Sequence, residues 1–97
     1  MPTDTITRRL PDLSDETAQQ PLDEYIVIVF NNEVNSFDEV IHILQKATGC
    51  SLEEAQMETQ EIHLTGRSVV HYGEQTECER AAGIIATIGI QVAVERL

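Results

Sequence analysis

The stretch Tyr25-Ile26-Val27-Ile28-Val29-Phe30-Asn31-Asn32-Glu33-Val34-Asn35-Ser36-Phe37 leads from an apolar run through a polar turn into an amphipathic segment. The run at 25–30 is short, rich in β-branched residues and tipped by aromatic residues, which predicts a buried strand. The polar residues at 31–36 stand where that strand should end. Short polar turns beside rigid elements often carry binding groups. Taken alone, these residues favour a simple loop that leads into a helix cap.

Capping residues and glycines divide the rest of the chain into further elements. Capping-box patterns that begin at Ser36 and Ser51 predict two helix starts, and the glycines that follow predict helix ends. The apolar face of the second helix should contain these residues: Leu52, Ala55, Thr59 and Ile62. Gly83 either weakens the third helix or marks close packing there. The predicted elements are a strand at 25–30, a helix at 36–48, a helix at 51–66, a strand at 67–72, a helix at 74–87 and a strand at 90–95.

The order β-α-α-β-α-β predicts an α+β fold. Three strands form one antiparallel sheet, and three helices cover one face of it in a two-layer sandwich. We expect residues 23–97 to form this core domain. Residues 1–22 differ from it, because they contain all three prolines of the chain and few large apolar residues. Such a segment cannot bury enough surface to offset its ordering entropy, which predicts a disordered N-terminal extension.

Composition narrows the classes of partner. The chain has 97 residues and a formal net charge of −11, which argues against nucleic acid and against anionic membrane surfaces. This charge allows a cationic partner or a ligand with an ammonium group, although solubility is the simpler explanation for most of the acidic residues. No apolar run is long enough to span a membrane, and the start of the chain lacks the pattern of a signal peptide. We therefore expect a cytoplasmic protein, and a monomer is the simplest assumption.

The cysteines and histidines give little sign of catalysis. Cys50 and Cys78 are isolated, so we expect no metal, no cofactor and no structural disulfide. No phosphate loop, zinc pattern or nucleophile elbow is present. An enzyme with Cys50 or a histidine as nucleophile or base is a rival hypothesis, but such a pair needs spatial contact and an orienting group. His42 and His71 should be surface or boundary residues without partners, and we expect no enzyme.

Several motifs, in this order and spacing, resemble the ClpS adaptor family, the N-end-rule adaptors of the Clp protease. The strand-ending turn at 31–33 reads Asn-Asn-Glu, and the helix start at 37–44 reads Phe-Asp-Glu-Val-Ile-His-Ile-Leu. The second helix supplies Ala-Gln-Met at 55–57 and Glu-Ile-His-Leu-Thr-Gly-Arg at 61–67. The family has an Asn-Asp-Asp/Glu turn and a helix that ends in Val-His-x-x-Gly-Lys. The resemblance covers residues 25 to 97.

The resemblance implies a pocket for the first residue of a protein chain. Three residues match the family positions that bind the α-amino group: Asn31, Glu33 and His63. Three others match positions that line the pocket for a bulky apolar side chain: Phe37, Thr59 and Ile62. Asn32 is a further candidate for the α-amino group, although the family usually has aspartate there. Methionine is common in the family at positions 37 and 59, so the ranking of N-terminal Phe, Tyr, Trp and Leu is open. Helical spacing independently places residues 59, 62 and 63 on one face.

The resemblance also implies a protein partner, the N-terminal domain of a Clp ATPase of the ClpA or ClpC type. The family docks through a surface that includes the start of the third helix, which here contains Thr76, Glu77, Glu79 and Arg80. The C-terminal domain of the ribosomal stalk protein, which has a similar β-α-α-β-α-β order and no α-amino pocket, is the alternative. That domain binds partners through a lysine-rich helical surface, whereas the folded part of this chain has only four basic residues: Lys46, Arg67, Arg80 and Arg96.

Overall fold

The central strand organises the domain. The structure, a computed structural model, describes residues 24–97. Its elements are β1 (Tyr25–Phe30), α1 (Phe37–Thr48), α2 (Leu52–Thr65), β2 (Arg67–Gly73), α3 (Gln75–Ala86) and β3 (Val92–Arg96). The predicted α+β class and the β-α-α-β-α-β order are confirmed. The predicted disordered extension at 1–22 lies outside the described residues.

The three strands form an antiparallel sheet in the order β2-β1-β3. The apolar run predicted to be a buried strand is the middle strand, and Val27 and Val29 are fully buried beneath the helices. The pairing of β1 with β2 shifts between Val27 and Ile28, whose partners are His71 and Val69. Residue 70 is therefore an extra residue in β2, as in a β-bulge.

Local capping chemistry sets the limits of the first two helices. At α1 the capping box is complete, because Ser36 Oγ accepts from Glu39 N at 3.1 Å and Glu39 Oε1 accepts from Ser36 N at 2.9 Å. At α2 Ser51 Oγ accepts from the N–H of residue 54 at 3.0 Å. Gly49 and Gly66 end these helices at φ of 74° and 98°, a left-handed backbone that other residues adopt only with strain.

The core lies between the helices and one face of the sheet. Its largest fully buried side chains are Leu44, Ile85, Val27, Val29 and Cys78. The small residues Ala47, Ala55 and Ala81 are buried as well, which lets the helices pack closely on the sheet. Within residues 24–97 no helix is both long enough and apolar enough to cross a bilayer.

Some local expectations were wrong. Leu52, predicted on the buried face of α2, is 53% exposed, because it lies in the first turn and beyond the edge of the core. Gly83 is exposed, and nothing lies within 4 Å of the position that a Cβ atom would take, so it does not mark close packing. β3 begins at Val92 instead of residue 90, and Ile90 is a buried residue of the preceding loop.

Candidate functional site

The turn after β1 is tied to two other parts of the chain. Phe30 N donates to the carbonyl oxygen of Gln91 at 3.0 Å, which connects the strand end to the start of β3. Asn31 N donates to the carbonyl oxygen of Gly66 at 2.9 Å, which connects it to the junction of α2 and β2. These bonds bring the turn, the end of α2 and the loop before β3 to one end of the sheet.

Asn32 and Asn35 hold the shape of this turn. Asn32 Oδ1 accepts from the backbone N–H groups of Asn35 at 3.1 Å and Val34 at 3.3 Å, and its Nδ2 donates to Asn35 Oδ1 at 2.8 Å. Asn35 Nδ2 donates to the carbonyl oxygen of Ile88 at 2.8 Å and to Glu39 Oε1 at 3.3 Å. Both lone pairs of Asn32 Oδ1 are therefore used inside the turn, as in an Asx-turn.

A cavity of about 430 Å³ opens beside the turn. Every residue that the sequence singled out for the α-amino group or the side-chain pocket lines it: Asn31, Asn32, Glu33, Phe37, Thr59, Ile62 and His63. Four further lining residues were not predicted: Asn35, Ser36, Val40 and Ile90. Val40 could have been found from helical spacing, because it lies one turn after residue 37. Ile90 has no such signal, because only the tertiary fold brings its loop to the cavity.

The exposed polar residues around the mouth of the cavity, Asn31, Glu33 and His63, form its rim, and their side chains have unused hydrogen-bonding groups. Within the part of the chain that the structure describes, three polar side chains of the lining make no hydrogen bond: Asn31, Glu33 and His63. All three are exposed to solvent. An amide oxygen, a carboxylate and an imidazole nitrogen are hydrogen-bond acceptors when the imidazole is neutral. The rim therefore presents acceptors that remain available to a ligand.

Two rings meet at the mouth of the cavity. Phe37, the first residue of α1, and His63, in the last turn of α2, have ring centroids 5.4 Å apart and an interplanar angle of 70°. This edge-to-face arrangement is a favourable geometry for aromatic rings. Phe37 is 46% exposed and so belongs to the mouth of the cavity. The contact joins α1 and α2 across the opening.

The buried part of the lining is mostly aliphatic. Val40, Ile62 and Ile90 are each at most 6% exposed. Thr59 is 3% exposed, and its Oγ1 donates to the carbonyl oxygen of Ala55 at 2.7 Å. A buried hydroxyl needs such a partner for its proton, and the bond to the preceding turn of the helix provides it.

The start of α3 differs from the mouth of the cavity, because two of its charged side chains, Glu77 and Arg80, bind each other. Arg80 contacts both carboxylate oxygens of Glu77, at 3.0 and 2.6 Å, and donates to the carbonyl oxygen of Ala47 at 2.8 Å. His71 Nε2 lies 3.1 Å from Glu77 Oε2, so the expectation that His71 has no partner was wrong. The hydrogen bond from Arg80, with help from His71, lowers the pKa of Glu77 to about 2. Thr76 and Glu79 are exposed on the same part of the helix.

Among the described residues, the remaining reactive side chains form no evident catalytic group. Both cysteines are free, and burial together with the nearby charge of Glu77 raises the pKa of the Cys78 thiol. A thiol with a raised pKa is a poor nucleophile. Among residues 24–97 no group of three or more histidine, cysteine and acidic side chains could hold a metal ion.

The fold is that of a small α+β domain with a cavity at one end of its three-stranded sheet. A sequence model of the family described as ATP-dependent Clp protease adaptor protein ClpS matches residues 20–91. The chain therefore belongs to the ClpS family. This assignment takes the place of the alternative from the sequence analysis, the C-terminal domain of the ribosomal stalk protein.

The chain is also similar to one solved structure and to segments of two much longer proteins. The structure of Agrobacterium tumefaciens ClpS2 bound to L-phenylalaninamide matches with a TM-score of 0.73 and 18% identity, over 78% of this chain and 99% of that chain, and shows the same fold. The E3 ubiquitin-protein ligase UBR2 of Homo sapiens is 38% identical over 63 residues, and UBR1 of Homo sapiens is 41% identical over 59 residues. These matches cover 65% and 61% of this chain but only 4% and 3% of the two ligases.

Proposed function

We propose that this chain is a cytoplasmic adaptor, and not an enzyme, that binds N-terminal degrons and delivers them to a Clp AAA+ unfoldase and protease. The degron is a protein N-terminus with a free α-amino group and a bulky hydrophobic first residue. One observation carries this proposal: three unbonded acceptors, from Asn31, Glu33 and His63, border a largely apolar cavity.

The rim suits an α-ammonium group. Such a group has three N–H donors and one positive charge, so it binds best where several acceptors and a negative charge converge. Asn31 offers an amide oxygen, Glu33 a carboxylate, and His63 a ring nitrogen if the imidazole is neutral. Asn32 has a different role in this proposal, because its amide oxygen is occupied by backbone N–H groups of the turn. It shapes the site and does not contact the ligand directly.

The cavity suits the side chain of the first residue. Phe37 borders its mouth, and Val40, Ile62 and Ile90 give it an apolar interior, as is usual in pockets for small ligands. The Agrobacterium ClpS2 of similar fold is bound to L-phenylalaninamide, which has both a free α-amino group and a benzyl side chain. That ligand supports the proposed chemistry of recognition here.

Fluorescence anisotropy with labelled peptides tests the binding proposal. The peptides differ only in residue one, which is Phe, Tyr, Trp, Leu, Ile or Met, and an acetylated Phe peptide serves as control. We expect binding of peptides that begin with a free aromatic residue or Leu, and none of the acetylated peptide. Equal binding of the free and acetylated Phe peptides would show that the rim does not bind the α-amino group.

Delivery needs a second test, because it depends on a protein partner. We expect the chain to bind the purified N-terminal domain of a ClpA- or ClpC-type ATPase through the start of α3. A Thr76→Ala/Glu79→Ala double variant removes exposed side chains there, and Glu53→Ala removes an exposed side chain from α2 as a control. Calorimetric titration should show weaker binding only for the double variant. Unchanged binding of the double variant would move the docking surface elsewhere.

A further inference from the structure

Thr59 has a buried hydrogen-bond acceptor that no part of the described chain uses. The residue lines the cavity and is only 3% exposed. Its hydroxyl proton is donated to the carbonyl oxygen of Ala55, and within residues 24–97 no group donates to Thr59 Oγ1. A hydroxyl oxygen has two acceptor lone pairs, so this oxygen can still accept a hydrogen bond.

The other side chains in the buried part of the lining cannot accept a hydrogen bond. Val40, Ile62 and Ile90 are aliphatic, so Thr59 is the polar exception among these four. Thr59 lies four residues before His63 on the same face of α2, about 6 Å away along the helix axis at the usual rise per residue. That separation is close to the length of a phenol side chain measured from its Cα atom.

We propose that Thr59 is a specificity-determining residue that favours tyrosine as the first residue of the bound chain. This inference rests on the proposed function. With the α-amino group at the rim beside His63, the phenol ring enters the cavity and its O–H donates to Thr59 Oγ1. The ligand class is an N-terminal residue with an aromatic body and a hydrogen-bond donor at its far end.

The expected effect is a preference and not an exclusion. Burying a phenol O–H without a partner is costly, so an entirely aliphatic pocket would disfavour tyrosine relative to phenylalanine. Thr59 offsets this cost by accepting the phenol proton. Phenylalanine leaves no donor unpaired, because the Thr59 hydroxyl still donates to the carbonyl oxygen of Ala55. One neutral hydrogen bond of this kind changes affinity by roughly two- to tenfold.

The test is the ratio of dissociation constants for two peptides that differ only in an N-terminal Tyr or Phe. Thr59→Val keeps the shape of the side chain and removes the acceptor, whereas Thr59→Ser keeps the oxygen. Thr65→Val is the matched control: Thr65 lies on the same helix and donates to the carbonyl oxygen four residues before it, that of Glu61, but does not line the cavity. Because the readout is a ratio, a general change in the affinity of the pocket cancels.

We expect Thr59→Val to weaken binding of the Tyr peptide about fivefold more than binding of the Phe peptide. Thr59→Ser and Thr65→Val should retain the wild-type ratio. A ratio that is unchanged in Thr59→Val overturns the inference while the proposed function stands. Failure of both peptides to bind the wild-type protein overturns the proposed function itself.

A second measurement needs no variant and covers the case in which Thr59→Val does not fold. The wild-type protein is titrated with a peptide that begins with 4-fluorophenylalanine, which has a para substituent but no donor. Tighter binding of the Tyr peptide than of this analogue supports the hydrogen bond to Thr59. Equal or weaker binding of the Tyr peptide overturns it.

Discussion

Two histidines of this domain are in opposite surroundings. His63, at the rim of the cavity, makes no hydrogen bond to the described residues and contacts the ring of Phe37. His71, in β2, is paired with Glu77, whose carboxylate is also bound by Arg80. The region around His71 satisfies its polar groups internally, whereas the rim leaves its acceptors open. Polar groups that hold a fold are paired within it, and unpaired ones at a cavity are available to a ligand.

Exchanging each histidine for alanine should give the largest contrast. His63→Ala removes a proposed acceptor, so we expect about tenfold weaker binding of a peptide with a free N-terminal Phe. His71→Ala leaves binding unchanged and slightly lowers the urea midpoint of unfolding, because it removes a contact of Glu77. Anisotropy and urea unfolding of both variants check this. Weaker binding by His71→Ala alone would reverse the assignment of the two regions.

A smaller effect is expected where the fold supports the rim. Asn35→Ala removes the side-chain bonds to the carbonyl oxygen of Ile88 and to Asn32. The variant should lose about 1–2 kcal/mol of unfolding free energy and bind the Phe peptide more weakly, because the turn is no longer held in place. Gln45→Ala is the control, since Gln45 Nε2 donates to a loop carbonyl oxygen, that of Cys50, away from the cavity. It should change stability only, and an equal loss of affinity in both variants would contradict this role of Asn35.

A partly buried acid on α2, Glu58, extends the comparison to the pH dependence of stability. Desolvation, and the charges of Glu54 and Glu61, raise the pKa of Glu58 to about 7, and its Oε1 is buried without a partner. Because the pKa in the folded state lies above that of the unfolded chain, stability falls as the pH rises from the ordinary glutamate range to about 7. Glu58→Gln should therefore raise the unfolding free energy by about 1 kcal/mol near pH 8, since solvent screening reduces the full effect of the shift.

Urea unfolding of wild type and Glu58→Gln at about pH 5 and about pH 8 measures this difference. At the lower pH the folded wild type is already protonated at residue 58, so the two proteins should be closely similar. Glu53→Gln, at an exposed position in the first turn of the same helix, controls for the loss of one negative charge. An equal gain from both substitutions at the higher pH would assign the effect to net charge instead of burial.

The paired acid on α3, Glu77, should respond in the opposite direction, and more weakly because its side chain is 42% exposed. The pKa of Glu77 is lowered to about 2, mainly by Arg80. A lowered pKa contributes stability above the ordinary glutamate pKa, and that contribution is lost as the pH falls towards about 2. Glu77→Gln should reduce the dependence of stability on pH in this acidic range. An unchanged slope of unfolding free energy against pH would contradict the pairing with Arg80.

Local sequence patterns were sufficient for most of the fold. Strand β1 follows from an unbroken apolar run, and helices α1 and α2 follow from serine caps, apolar spacing and glycine ends, all of which act over a few residues. Predictions failed where burial depends on distant residues. Leu52 has the right spacing but lies beyond the edge of the core, and the segment from Ile90 begins as a loop because its pairing with β1 starts at Val92.

The candidate site shows the same division. Helical spacing placed Thr59, Ile62 and His63 on one face, and family resemblance added the residues of the turn. The sequence could not predict that the Asn32 side chain is bonded within the turn while the Asn31 side chain is not, because adjacent identical residues carry no local signal that distinguishes them. Direct binding of the α-amino group by Asn31, Glu33 and His63 stays a prediction until peptides are titrated.

The sequence by itself determined the order of elements, the ends of the first two helices and the acidic character of the domain, because periodicity, capping and charge are local or additive. Only the tertiary structure decided which polar groups stay unpaired. It brought the turn at 31–37, the end of α2 and the loop at 88–90 around one cavity, and it paired His71 with Glu77 while leaving His63 open. The physical reason is that hydrogen-bond satisfaction and burial depend on neighbours far apart in the chain, which no local pattern specifies.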